Sequence, residues 1–158
     1  MIKLRHITLH DFDNISMYVI NLEVSRFLTW KPYNDLSSIN EYLNYATKSV
    51  SFPDEILLIS SNLSFLGTAH ILKRDNADIQ IGFGLLPEFW NKGFGLKIAI
   101  SIINYIKNSQ WNYKAERILV VIHKDNIYAK KIFIKLNFEL NEENVKENFN
   151  RYVLKINK

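Results

Sequence analysis

The sequence predicts a mixed α/β fold: a largely antiparallel central sheet with helices packed on it, in the order β-α-α-β-β-β-α-β-α-β-β. Three observations predict it. The chain opens on period-two alternation, and residues 55–86 hold three strand-like runs separated by turn-forming residues. In the second half a long amphipathic stretch runs into a short, almost wholly apolar one, as in a βαβ unit. A crossover of that kind makes the strands flanking the helix a parallel pair, here the fourth and fifth.

Taken in order, Ile-Lys-Leu-Arg-His-Ile-Thr-Leu at residues 2–9 alternates and reads as a strand. Asp11 stands where a helix N-cap belongs, and Ile15, Val19, Ile20 and Leu22 supply an apolar face behind it. Pro32 pushes Lys31 out of helical geometry, so Trp30 to Tyr33 form a loop. Residues 36–48 read as a second helix with Ile39, Leu43 and Ala46 or Thr47 on one side. Strands follow at 55–60, 64–73 and 77–86, separated by Ser61-Asn62 and Arg74-Asp75-Asn76, which makes an antiparallel meander. Residues 93–109 form the strongest helix, with Ile98, Ile102, Ile103 and Ile106 on its apolar face. Residues 117–122 are the buried strand, 126–136 a helix, and 138–140 and 151–156 the closing strands. No linker or repeat divides residues 1–158, so one domain is expected.

Composition narrows the function. The 158 residues carry 20 Lys and Arg against 16 Asp and Glu, and 47% are hydrophobic, enough for one core without staples. The absence of Cys excludes a disulfide framework, a thiol nucleophile and zinc-finger patterns. Of His6, His10, His70 and His123, only the first two are four apart, and they fall on and just after the alternating strand rather than on one helix face, so no metal is expected. Neither a basic stripe nor a stacking motif for nucleic acid is present. No leader-like or membrane-spanning run occurs, and the cytoplasm is the expected compartment.

The chemistry concentrates in Leu85-Leu-Pro-Glu-Phe-Trp-Asn-Lys-Gly-Phe-Gly-Leu-Lys97, where a strand ends and Gly-x-Gly opens a helix. Glycines admit close backbone approach, and the free amides of a first helical turn stabilise an anion such as a diphosphate. Lys92 and Lys97 add positive charge. The same glycines would also serve a plain tight turn. A Walker loop would need Gly-Lys-Ser/Thr where Gly95-Leu96-Lys97-Ile98 stands, and a dinucleotide fingerprint needs a third glycine in place of Ile98. Both are disfavoured.

Pro87-Glu-Phe-Trp-Asn-Lys-Gly-Phe-Gly95 resembles the acetyl-CoA diphosphate loop of the GNAT superfamily of N-acetyltransferases. Trp90, where many members carry Gln or Arg, is similar to the RimJ/RimL branch, which acetylates ribosomal-protein N-termini. Leu4-Arg5 with Asp11, Glu23 to Leu28 with Trp30 and Pro32, Leu66-Gly67, His123-Lys-Asp-Asn126 and Lys135-Leu-Asn-Phe138 agree in order along nearly the whole chain. The resemblance implies a GNAT-like fold whose parallel pair splays to admit the pantetheine arm. It implies that Leu85 and Leu86 offer main-chain hydrogen bonds to that arm. The amides of Lys92, Gly93, Phe94, Gly95 and Leu96, with Lys97 nearby, would cradle the diphosphate. Asn126 would hold the arm from the far side, although a helix N-cap is its simpler role.

The implied reaction is direct attack of an amine on acetyl-CoA in a ternary complex, which requires removal of a proton from an ammonium. Three positions where relatives handle protons are occupied by Gln80, Ala129 and Phe133, none of which titrates. Positioning and water could carry the reaction. Substitutes are Tyr128 as acid and Asp78 or His123 as base, the last for its near-neutral pKa. Trp30 and Tyr33 are expected to wall the acceptor cleft, and Phe27 to pack in the core. The loop at 141–150, with Glu142, Glu143 and Glu147, would form another wall. The acceptor would be a peptide N-terminus or a small amine, and members of the family often form homodimers. The competing reading is a non-catalytic CoA-sensing module of the same fold; a nucleotide-binding domain is a third.

Overall fold

A computed structural model describes residues 1–51, 54–75, 77–109 and 115–156. The elements are β1 (Ile2–His6), α1 (Phe12–Val19), α2 (Leu22–Ser25), α3 (Leu36–Lys48), β2 (Val50–Ser51), β3 (Asp54–Ser61), β4 (Ser64–Lys73) and β5 (Asp78–Leu85). After these come α4 (Phe94–Asn108), β6 (Arg117–His123), α5 (Ile127–Lys135), β7 (Glu139–Lys146) and β8 (Phe149–Lys155). The strands form one sheet in the order β1-β3-β4-β5-β6-β8-β7, with β2 paired to β3. Neighbours are antiparallel except β5 and β6, which run parallel, as the βαβ pattern requires.

Two apolar layers cover the sheet. On one face α4 contributes Ile98, Ala99, Ile102, Ile103 and Ile106, packed on Leu57, Ala69, Ile71, Ile79, Ile81, Ile118 and Val120. On the other, α1 to α3 contribute Ile15, Tyr18, Val19, Val24, Ile39, Leu43 and Ala46, packed on Ile56, Leu58 and Phe65. Period two along each strand sorts these residues to opposite faces. Thr68, His70, Gly82 and Gly84 therefore share the α1–α3 face with Leu58 and Ile56, their ladder partners being Leu58↔Thr68, Ile56↔His70, His70↔Gly82 and Thr68↔Gly84.

Four local expectations are corrected, and one unexpected strand, β2, is added. β1 ends at His6, not at residue 9, because the chain turns into a short 3₁₀ segment at Leu9–Asp11. Asp11 does not cap α1 through its side chain: its carboxylate accepts from Arg5 at 2.6 and 2.8 Å and from the Thr8 amide at 2.9 Å. Ile20 and Leu22 are exposed, because Asn21 ends the first helix and caps a new one by accepting from the Glu23 and Val24 amides. The short strand β2 had no periodic signal at all. The presumed loop at 141–150 is the end of β7, a hairpin turn and the start of β8, with Asn144 and Asn148 supplying positive φ at the irregularity and the turn. Asn76, the last residue of the expected 74–76 turn, lies outside the described residues. No helix among the described residues is long and apolar enough to cross a membrane.

Candidate functional site

β5 ends at Leu85, and a 3₁₀ turn over Pro87–Phe89 leads into the glycine loop. The loop is tied back to the strand. Trp90 Nε1–H donates to the Leu85 carbonyl at 2.9 Å, while the Leu86 amide donates to Leu66 and the Leu86 carbonyl accepts from Phe89. Asn91 (φ 57°) and Gly93 (φ 76°) both take the left-handed conformation and reverse the chain into α4. No side chain caps α4 and no acidic residue lies in its first turn, so its leading amides are open to an anion. Lys92 and Lys97 are exposed beside them. A Cβ on Gly93 would meet open space, whereas one on Gly95 would lie 2.7 Å from Ile132 Cδ1. Gly93 therefore serves the turn, and Gly95 the close approach of α4 to α5. Phe94 meets the ring of Phe89 edge-on at 5.8 Å, and Leu96 is half-buried.

Beside this loop the sheet opens. β5 and β6 pair from Asp78↔Arg117 to Ile81↔Val120 and no further, although β5 continues to Leu85 and β6 to His123. The direction of the free main-chain groups follows from parity. Arg74 donates to Asp78 and Leu86 donates to Leu66, so residues 78, 80, 82, 84 and 86 bond toward β4. Phe83 and Leu85 then turn their N–H and C=O groups toward β6, where pairing has ended. The Leu85 carbonyl is the one already used by Trp90.

Asp78 lies at the closed end of the pair, away from this slot. It is buried and held by Arg117 in a two-pronged pair at 2.6 and 2.7 Å. It also lies seven residues before Leu85, roughly 23 Å along the strand. Gln80 is engaged by Arg74 Nε at 2.9 Å, and Phe133 is core, its ring against Phe83 and Phe138.

The β6 arm ends in His123, whose ring lies between Phe27 (5.6 Å) and Phe149 (5.0 Å). Its Nδ1 accepts the Asp125 amide at 3.2 Å and lies 3.8 Å from the Asp125 carboxylate, so a neutral ring carries its proton on Nε2. Asn126 caps α5 by accepting the Ala129 amide at 3.1 Å through Oδ1, which leaves its NH₂ group directed elsewhere. Tyr128 is 69% exposed on that helix. Trp30 and Tyr33 are half-buried and belong to an aromatic series: Tyr18–Trp30 6.0 Å, Trp30–Tyr33 6.1 Å and Tyr33–Tyr42 5.7 Å. Glu142 is neutralised by Arg151 at 2.7 Å, while Glu143 and Glu147 are exposed.

Several residues of the cleft carried no sequence signal of their own. Gly82 is exposed on a central strand with open space above it, and forms a floor. A Cβ on Gly84 would collide with the Tyr18 hydroxyl, so that hydroxyl sits directly over the strand. Burial pushes the Tyr18 phenol up to about 12, with hydrogen bonds from Thr68 opposing the shift. Burial also raises the Tyr42 phenol, again against a hydrogen bond from Thr68. The Tyr42 hydroxyl stands 3.5 Å from His70 Nε2, and burial lowers the His70 imidazole while Asp54 opposes. Phe27, expected in the core, instead stacks on His123. Only the alternation of 68, 70, 82 and 84 on one face could have pointed to this group. Among the described residues no cluster of His, Asp and Glu is arranged to hold a metal ion.

Residues 2–139 match the profile of the acetyltransferase (GNAT) domain. The chain is 22% identical to the uncharacterized N-acetyltransferase p20 of Bacillus licheniformis over 144 residues, covering 87% of this chain and 79% of that one. Its fold is similar to spermidine N-acetyltransferase from Vibrio cholerae, solved with CoA and spermine, at a TM-score of 0.81 and 15% identity over 98% of this chain and 95% of that one. It is also similar to aminoglycoside acetyltransferase AAC(6')-Ib in complex with coenzyme A, at 0.79 and 15% over 98% and 95%. With the profile spanning most of the sequence and the opened parallel pair in place, the chain belongs to the GNAT acetyltransferase family.

Proposed function

We propose that this chain is an acetyl-CoA-dependent N-acetyltransferase acting on a primary amine, with residues 1–158 as one catalytic domain. The carrying observation is the parallel pair that closes through Ile81↔Val120 and then parts, with an uncapped helix N-terminus at the end of the opening. That shape suits a long, flexible, anionic cosubstrate, because main-chain groups bind the arm and a helix end binds the diphosphate. Acetyl-CoA, when bound, supplies the acetyl group. Phe83 and the Leu85 amide offer hydrogen bonds to the arm, a role extended here from Leu85 and Leu86. Leu86, with both main-chain groups engaged, anchors the strand end. The amides of residues 92–96 receive the diphosphate, and Lys92 and Lys97 add charge. Asn126 keeps its cap and turns its NH₂ group to the arm.

On the acceptor side, His123 is a hydrogen-bond donor on the wall, and Trp30 and Tyr33 close the other side. Tyr128, on the helix that Asn126 caps, is the proton donor retained for the departing sulfur. Relatives act on spermidine and aminoglycosides. The acidic wall expected for a polycation is weakened here by the Glu142–Arg151 pair, which favours a peptide N-terminus, as the RimJ/RimL resemblance implies, or a small amine. A second reading, a CoA-binding module without turnover, is favoured by the untitratable Gln80, Ala129 and Phe133.

Thermal shift tests the first step: acetyl-CoA and CoA should raise the melting temperature, ATP and NAD should not, and Gly93→Asp should abolish the response. At Gly93 the new carboxylate meets open space but must take a φ of 76°, whereas at Gly95 it meets Ile132 Cδ1 at 2.7 Å, so the melting temperature of the ligand-free variant is measured alongside. Thiol release with an N-terminal peptide, spermidine and an aminoglycoside then separates enzyme from binding module. Absence of any shift with CoA sinks the reading.

A further inference from the structure

We propose that Arg74 and Gln80 bind a carboxylate on the acceptor, so that the amine this chain acetylates carries an acidic group close to it. The inference rests on the acetyl-transfer reading and names the substrate class which that reading leaves open.

Arg74 stands directly after β4, where its amide donates to the Asp78 carbonyl across the hairpin to β5. Its side chain reaches over the sheet, with Nε–H donating to Gln80 Oε1 at 2.9 Å. Ile79 and Ile81 face α4, so Asp78, Gln80 and Gly82 face the other way, toward the acceptor side of the opening. The chain has five arginines, and four of them meet a carboxylate. Arg5 pairs with Asp11, Arg26 with Glu23, Arg117 with Asp78 and Arg151 with Glu142. Arg74 bonds a neutral amide instead, and no carboxylate among the described residues pairs with it. A Glu at position 80 would cancel its charge; Gln80 holds the guanidinium in place and leaves it positive.

The pair is also open to a ligand. Arg74 is exposed, Gln80 is half-buried, and Gly82 is exposed with open space above it. With Oε1 engaged, the Gln80 NH₂ group remains as a donor beside the two Nη groups of Arg74. The route of the arm sets where the amine arrives. The diphosphate lies at the α4 end of the opening and Phe83 and Leu85 hold the arm, so its sulfur runs toward the vertex at Ile81↔Val120. The acetyl group then lies over the Gly82 floor. Gln80 is two residues farther along the strand, roughly 7 Å away. A carboxylate at that distance from the amine accepts from the guanidinium fork and from the Gln80 amide together. A polyamine laid along the same floor would bring an ammonium against Arg74, and like charges reject it.

Acceptors that differ only in one carboxylate test this. Peptides beginning Ser-Glu and Ser-Gln form one pair, and free glutamate and glutamine the other, which separates a peptide source of the acid from a small amino acid. With acetyl-CoA, the acid should exceed its amide at least tenfold in kcat/KM in one pair, chiefly through KM. Arg74→Gln should erase that preference and leave the CoA thermal shift at its wild-type size. Gln80→Glu, nearly equal in volume, gives Arg74 an internal carboxylate and should erase the preference as well. Both variants are read as the ratio of acid to amide, so a general change in rate does not enter. Equal use of acid and amide in both pairs, a preference for spermidine over both acids, or a preference that survives either variant overturns the inference and leaves acetyl transfer standing. If the wild type shows no CoA shift, or binds CoA and acetylates none of these amines, the acetyltransferase reading falls and this inference with it.

Discussion

Gly84 lacks a side chain because the Tyr18 hydroxyl occupies the place of its Cβ, with Leu28 Cδ1 only 3.0 Å away. Gly84→Ala must displace a phenol held by burial on all sides, and overpacking of this kind costs about 1–3 kcal/mol. Urea denaturation should register that loss, with no change in the cooperativity of the transition. Trp90 makes a different kind of contribution. Its indole N–H fixes the glycine loop to the strand end through the Leu85 carbonyl. Trp90→Phe keeps most of the apolar surface and deletes that bond, worth about 1 kcal/mol. The expected result is a small drop in stability together with a weaker thermal response to CoA, since the loop loses its fixed distance from the open strand. A drop in stability with an unchanged CoA response would limit Trp90 to packing.

At the level of elements, local chemistry set the boundaries that the sequence could reveal. α3 spans the predicted residues because Asp35 accepts the Ser38 amide at 2.8 Å and Ile39, Leu43 and Ala46 keep helical spacing. β4 likewise spans its predicted residues, closed at its start by the Asn62–Leu63 turn in positive φ. The β7–β8 hairpin was legible only at its ends, because β7 is an edge strand exposed along nearly its whole length and lacks the alternation that betrays a buried face. The glycine loop could be read because its requirement is local. The residues around Gly84 could not, because strand register alone brings Thr68 beside Gly84 and places Tyr18 of α1 over it. The β1–α1 junction carries a pH-dependent term. Hydrogen bonds from Arg5, then Thr8, lower the Asp11 carboxyl to about 2, below its ordinary 3.8. A depressed folded pKa gives stability that is present above about pH 4 and lost as pH falls toward 2. Asp11→Asn should flatten the stability profile in that window and leave the slope above pH 5 unchanged, as thermal melts across pH would record.

Across the molecule, the decisive feature is a pair of strands fastened at one end and free at the other. Asp78 and Arg117 lock the closed end, and Ile79 and Ile81 continue it against Ile118 and Val120 in the α4 core. β8 holds the far side of β6 through His123↔Phe149, and β4 holds β5 through Leu85, so neither arm can swing in to pair with the other. The opening is thus a rigid property of the sheet, and the amides of Phe83 and Leu85 are left without ladder partners. Native-state hydrogen exchange reads this directly. In the free protein those two amides should exchange far faster than those of Ile79 and Ile81, although all four lie on one strand within seven residues. Saturating acetyl-CoA should protect Phe83 and Leu85 by at least tenfold and move Ile79 and Ile81 only through the general gain in stability. Protection of Phe83 and Leu85 already complete without ligand would mean that the arms close on each other, and the proposed binding of the arm would fail with that result.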